Sequence, residues 1–159
     1  MSLEKEIVAV TQDSKTYVEL GYMSISEGNW DPGCIWEEDG KYLDEPKLRT
    51  DLPKDEIVIE EDEIDVVFSY PLSSDFTFTF SAEGGFTREE ISNMIMKKYA
   101  DIYQEEEDTS NIEAGNHEKF VLNRNQTDGK YGIWGHGIGD LMLHSMMKEN
   151  GKWSLGVDS

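Results

Sequence analysis

One cysteine, Cys34, is all that the 159 residues contain. An intramolecular disulfide framework and any cysteine-cluster metal site are therefore excluded. Long apolar runs are missing too. None approaches the roughly 18 consecutive apolar positions that a membrane-spanning helix needs. The opening Met1-Ser-Leu-Glu-Lys-Glu has no apolar core of the kind a secretory signal carries. Together these absences predict a soluble intracellular protein in a reducing compartment, cytoplasmic or nuclear.

Positive charge is the third scarcity. Fourteen Lys and Arg stand against 34 Asp and Glu, a formal net charge of -20. Such a surface repels nucleic-acid backbones and anionic membranes over a Debye length of roughly 10 Å. Direct binding to either is not expected. The charge suits a basic protein partner, bound cations, or a surface that is merely well solvated. It is also uneven: residues 119–159 hold only 4 acidic and 5 basic side chains. A near-neutral C-terminal island, rich in Gly, Trp and His, thus sits on a strongly acidic body.

What is present suffices for one core. The hydrophobic share is 37%, with 11% aromatic, and the length suits a single domain over residues 1–159. Residues 6–10 and 16–23 alternate like strands, with 11–15 as the turn between them. Residues 24–55 lose periodicity among Gly, Pro, Asp and Glu, and read as an irregular acidic excursion. Residues 57–59 and 64–70 are β-rich. Residues 76–80, Phe-Thr-Phe-Thr-Phe, alternate strictly, which predicts a strand with its Phe face in the core.

Thr87-Arg-Glu-Glu90 is a capping box. Ile91, Met94, Ile95, Tyr99, Ile102 and Tyr103 then line one face of a helix over about 88–106. The acidic run Glu105-Glu-Glu-Asp108 opposes the helix macrodipole, so that end should fray or stop unless a cation lies nearby. Residues 119–124 read as a strand, 125–129 as a turn, 131–134 as the returning segment, and 135–139 as a glycine-rich loop. Asn150-Gly151, between apolar runs, predicts a final hairpin. The order implies an α+β fold, a mainly antiparallel sheet with one long amphipathic helix packed on one face.

Residues 123–140 carry the densest chemistry. Arg124 is suited to grip a carboxylate or phosphate, with Asn123, Asn125 and Thr127 to orient a ligand. Asn125 and Asp128 also suit Asx turns. His136, Asp140 and His144 would share a face if helical and could then hold a divalent metal. Gly135, Gly137 and Gly139 argue against that helix, so His136 is expected in a loop, bonded to backbone, with no metal and no cofactor. Trp134 and His136 are expected to converge with these polar groups across one hairpin end, which makes Asn123, Arg124, Asn125, Thr127, Asp128, Trp134, His136 and Asp140 the candidate ligand-binding set. Cys34 lies near Asp31 and Glu37, which favour the thiol over a reactive thiolate.

Several segments carry a resemblance. Phe68-Ser-Tyr-Pro-Leu72, Gly85-Phe-Thr-Arg-Glu89, Tyr103-Gln-Glu-Glu-Glu107, Asn123-Arg-Asn-Gln-Thr-Asp-Gly129, Tyr131-Gly-Ile-Trp-Gly-His136 and Asp140-Leu141 resemble an uncharacterised family of small proteins of eukaryotes and large DNA viruses. The resemblance spans about residues 66–158. It implies a compact unit and transfers no activity.

Three functions fit these readings. The first is a non-catalytic acidic interaction protein facing a basic partner. The second is a small enzyme or ligand-binding protein with its site at residues 123–140. The third is a DNA mimic, against which the neutral C-terminal island speaks. Absence of a recognisable catalytic set favours the first.

Overall fold

The computed structural model describes residues 16–115, 117 and 122–159. The strand expected over 6–10 and its turn lie outside them. A five-stranded sheet has the order β1 (Tyr17–Ser24), β8 (Met142–Glu149), β9 (Lys152–Asp158), β5 (Glu63–Phe68) and β6 (Phe76–Ser81). Every neighbouring pair is antiparallel except β5 and β9, which run parallel, Val66 opposite Trp153. One helix, α1 (Arg88–Thr109), packs on the sheet. The expected α+β architecture is the observed one.

Local chemistry explains the helix. Thr87 Oγ1 accepts the Glu90 N–H at 3.1 Å, and Glu90 accepts the Thr87 N–H at 3.1 Å, so both halves of the capping box form. Ile91, Ile95, Met96, Tyr99 and Ile102 are all buried. Each such side chain contributes about 1.5–3 kcal/mol by leaving water. Arg88, itself buried, donates to the backbone oxygens of Glu19 and Pro53 at 2.8 and 2.6 Å and pairs with Glu56 at 3.1 Å. It ties the first turn of the helix to strand β1 and to the segment before β4 (Ile57–Ile59), which itself pairs with β7 (Phe86–Thr87).

Several expectations need correction. The helix does not fray at its acidic end. Glu106 is buried and the helix continues to Thr109. The Phe face of β6 turns to the core as expected, but only Phe80 is fully buried; Phe76 and Phe78 pack against the core half-buried, β6 being an edge strand among the described residues. Residues 119–121 of the strand expected over 119–124 lie outside the described residues; at 122–124 and 131–135 the structure has one isolated bridge, between Arg124 and Gly135. The Asn150-Gly151 hairpin forms as expected, with Asn150 and Gly151 both at positive φ.

The excursion over 24–55 contains ordered structure that its composition hides. β2 (Cys34–Glu38) and β3 (Lys41–Leu48) form an antiparallel hairpin that, among the described residues, pairs with no other strand. Its register is broken between Ile35 and Glu37, which removes the alternation by which strands are recognised. Arg49 fastens its base: the Arg49 N–H donates to the Gly33 carbonyl at 3.1 Å, and the guanidinium binds Asp51 and Glu19.

Candidate functional site

The eight candidate residues fold into one segment, yet they face different tasks. Asn123, His136 and Asp140 come together. His136 is 6% exposed, and its Nδ1 lies 2.7 Å from Asp140 Oδ2. The carboxylate can only accept, so Nδ1 is the donor in this contact and Nε2 is left for a second partner. Ser159 Oγ stands 3.3 Å from that Nε2, and the Tyr70 hydroxyl stands 2.5 Å from Ser159 Oγ. Asn123 clamps the turn: its Nδ2 donates to Asp140 Oδ2 at 2.5 Å and its Oδ1 accepts the Gly137 N–H at 2.7 Å.

Two aromatic rings flank this chain. Tyr70 and Trp134 meet edge to face at 5.7 Å, and each lies about 6 Å from the imidazole. His136 is therefore held through its ring as well as its backbone, whose carbonyl accepts the Tyr103 hydroxyl at 2.9 Å. The ring contacts two side chains, Asp140 and Ser159, where the sequence suggests a bond to backbone. His144 sits on β8 instead, 3.3 Å from Asp158, so the glycine-broken turn and the strand separate it from the His136–Asp140 pair. Among the described residues no group of three His, Cys, Asp or Glu side chains is placed to hold a metal.

Arg124 and Thr127 point elsewhere. Both line a groove of about 1290 Å³ between α1 and residues 110–115; Trp134, His136 and Asp140 are not in its lining. The Arg124 guanidinium lies over the Tyr103 ring at 5.3 Å and donates to Thr127 Oγ1 at 3.2 Å. Asn125 and Asp128 lie outside that lining and brace residues within it. Asp128 accepts from Ser110 Oγ and the Asn111 N–H at 3.0 and 2.7 Å, while Asn125 Nδ2 donates to the Glu113 carbonyl at 3.2 Å. Those bonds hold the Asp128 carboxyl below its usual value, the Asn111 N–H contributing most.

Between the two halves lies Glu106. Its carboxylate accepts N–H groups from Tyr131 (2.7 Å), Gly129 (3.0 Å), Gly132 (3.1 Å) and Ile133 (3.3 Å). It takes the Thr127 hydroxyl as well, at 2.5 Å. Lys130 reaches Glu105 at 2.9 Å, the nearby cation that the acidic helix end calls for. The loop over 127–133 has almost no ladder of its own, and a buried carboxylate replaces it.

The hairpin β2–β3 is the other place where exposure asks for a reason. Tyr42 is 87% exposed and Trp36 59%, with Leu48 also exposed. Glu37, Glu38, Asp39, Asp44 and Glu45 surround them, against Lys41 and Lys47 alone, and Lys47 is bound to Glu38 at 3.0 Å. Among the described residues no helix is long and apolar enough to cross a membrane. No family model, curated protein or solved structure matches the chain.

Tyr70 and Ser159 carry no site signal in the sequence, and Trp36 and Tyr42, aromatics that argue for parts of the 24–55 excursion packing down, are exposed instead. For Glu106 the acidic run at the helix end was the available signal, read as a cost instead of an anchor.

Proposed function

We propose that this is a non-catalytic interaction protein whose acidic hairpin β2–β3 receives a basic partner. The observation that carries the reading is the exposure of Trp36 and Tyr42 on a two-stranded arm. A lone two-stranded hairpin is marginal in water, and large aromatic side chains contribute most when a partner covers them. The five carboxylates around them select the sign of that partner. A lysine- or arginine-rich segment with interspersed apolar residues meets both demands.

The test is calorimetric titration with an Arg/Leu-rich peptide and, as control, a Glu/Leu-rich one. Binding of the basic peptide should weaken steeply with salt and drop about tenfold or more in a Trp36→Ala/Tyr42→Ala double variant. Binding that ignores both salt and the double variant, or no binding at all, refutes the proposal.

A second reading is favoured by one arrangement, the order Asp140–His136–Ser159. A carboxylate on Nδ1 and a serine hydroxyl on Nε2 is the connectivity of an activated nucleophile. In an acyl transfer the Ser159 oxygen would bond to a carbonyl carbon as its proton passes to Nε2. The leaving group would take that proton, and water would then release the acyl group. A fluorophosphonate probe should label wild type and spare Ser159→Ala and His136→Ala. An unlabelled wild type removes this reading.

A further inference from the structure

Among the described residues, the acidic body gives the Arg124 guanidinium no carboxylate. Arg49 pairs with Glu19 and Asp51, and Arg88 pairs with Glu56. Among the described residues Arg124 makes no ion pair. Its contacts are the Tyr103 ring, the Thr127 hydroxyl and, at 3.5 Å, the Asn125 carbonyl. In a chain with 34 acidic side chains, a guanidinium in that state is conspicuous.

It is also held in place. Thr127 is fixed by Glu106, and the Tyr103 hydroxyl by the His136 carbonyl. A guanidinium whose plane is set beforehand loses little freedom when an oxyanion docks on its remaining donors. The groove that it lines has an apolar floor and wall. Met96 and Ala100 come from α1, Ile138 from the turn beyond, and Ile112, 46% exposed, from the facing loop. The other cationic lining residue, Lys97, is already bound to Asp101. Glu107 and Glu113 also line the groove and disfavour a second negative charge along it.

We propose that this groove binds a small amphiphile, with its oxyanion head on Arg124 and its apolar tail between α1 and Ile112. The head chemistry is that of a carboxylate or a phosphate monoester. Arginine meets either with two parallel hydrogen bonds. The tail is confined to an apolar strip, and charge is tolerated at one end only. This site is separate from the hairpin arm, and neither depends on the other.

The probes are octanoate and octyl phosphate, titrated into the full chain and followed through the methyl resonances of Met96, Ala100, Ile112 and Ile138. Octylamine and octanol serve as controls. We expect saturable shifts confined to these methyls with at least one anionic probe, and none with octylamine. Whichever anion binds more tightly identifies the head group. Arg124→Ala should weaken binding about tenfold or more, and Arg124→Lys less, because it keeps the charge but loses the fork.

Arg124→Ala also removes the Thr127 and Tyr103 contacts, so a second variant guards against a folding defect. Ile112→Asp changes a half-exposed side chain and places a carboxylate beside the tail; it should weaken binding with little change in melting temperature. The proposal is overturned if neither anion binds at millimolar concentration. It is equally overturned if octanol or octylamine bind as well as the anions, or if both variants bind like wild type.

Discussion

Glu106 Oε2 accepts the Thr127 hydroxyl at 2.5 Å across 21 residues of sequence, and this contact joins the end of α1 to the candidate segment. Four backbone N–H groups of the loop over 129–133 converge on the same carboxylate. On one side the loop leads to Arg124 and its groove. On the other it leads to His136 and Asp140. The acidic helix end is thus the support on which both are built.

Replacing Glu106 should be among the most damaging single changes in the protein. Glu106→Ala leaves four N–H groups without their acceptor, those of Tyr131 and Ile133 buried and those of Gly129 and Gly132 half-buried, while the Thr127 hydroxyl keeps the Ile133 carbonyl at 3.2 Å. Each orphaned group costs about 1–3 kcal/mol where water cannot enter. Some water entry and loop relaxation will lower the total. We expect a loss of about 3–5 kcal/mol in urea unfolding. Glu106→Gln keeps the shape but turns one acceptor into a donor facing N–H groups, so it should recover less than half of that loss. A change below about 1 kcal/mol for Ala would mean that the loop holds itself.

The same carboxylate sets an acid limit. Burial by itself pushes the Glu106 carboxyl up, but the Thr127 hydroxyl and the N–H groups of Tyr131, Ile133 and Gly129 outweigh it and hold the group below its ordinary value of 4.5. A group lowered in the folded state stabilises fully above its unfolded pKa. That stabilisation is lost as pH falls from about 4.5 through the lower folded value. Wild type should therefore lose stability relative to Glu106→Gln over this window. Parallel pH profiles of the two proteins below pH 4.5 would show that Glu106 does not contribute in this way.

Local signals in the sequence were reliable where one element explains itself. The capping box at Thr87 and Glu90, the helical face from Ile91 to Ile102, and the Asn150-Gly151 turn are all contained within a few residues of their partners. The parallel pairing of Val66 with Trp153 joins strands far apart in the chain, and no local pattern encodes it. Asn123, His136 and Asp140 were legible as a polar cluster because they lie within 17 positions of one another. Tyr70 and Ser159 entered that cluster through tertiary contact alone. The hairpin β2–β3 escaped because Trp36 and Tyr42 face solvent, so no buried stripe imposes a period of two.

That exposure has a direct consequence for stability. Trp36→Ala and Tyr42→Ala remove large aromatic groups, which in a core would cost about 3–5 kcal/mol each. Here neither side chain is in the core cluster, so each should change stability by no more than about 0.5 kcal/mol. Thermal unfolding of the two variants is the measurement. A large loss would show that the arm packs on the body, and its aromatics would then no longer need a partner.

The arm reaches its position because Gly21 lets the chain pass. Gly21 has φ +120, and a Cβ there would lie 2.6 Å from the Asp31 carbonyl oxygen and 2.9 Å from Pro32 Cα. Both obstacles are backbone, so neither can rotate away. Gly21→Ala combines an unfavourable φ with a clash at the root of the arm, and should cost about 3 kcal/mol. Gly40, at the tip of the arm, has φ +76 with nothing within 4 Å of the added atom. Gly40→Ala isolates the conformational part and should cost about 1 kcal/mol. Urea unfolding of the pair separates the two effects. Equal losses would mean that φ alone matters and that β1 does not need its glycine to carry the arm across it.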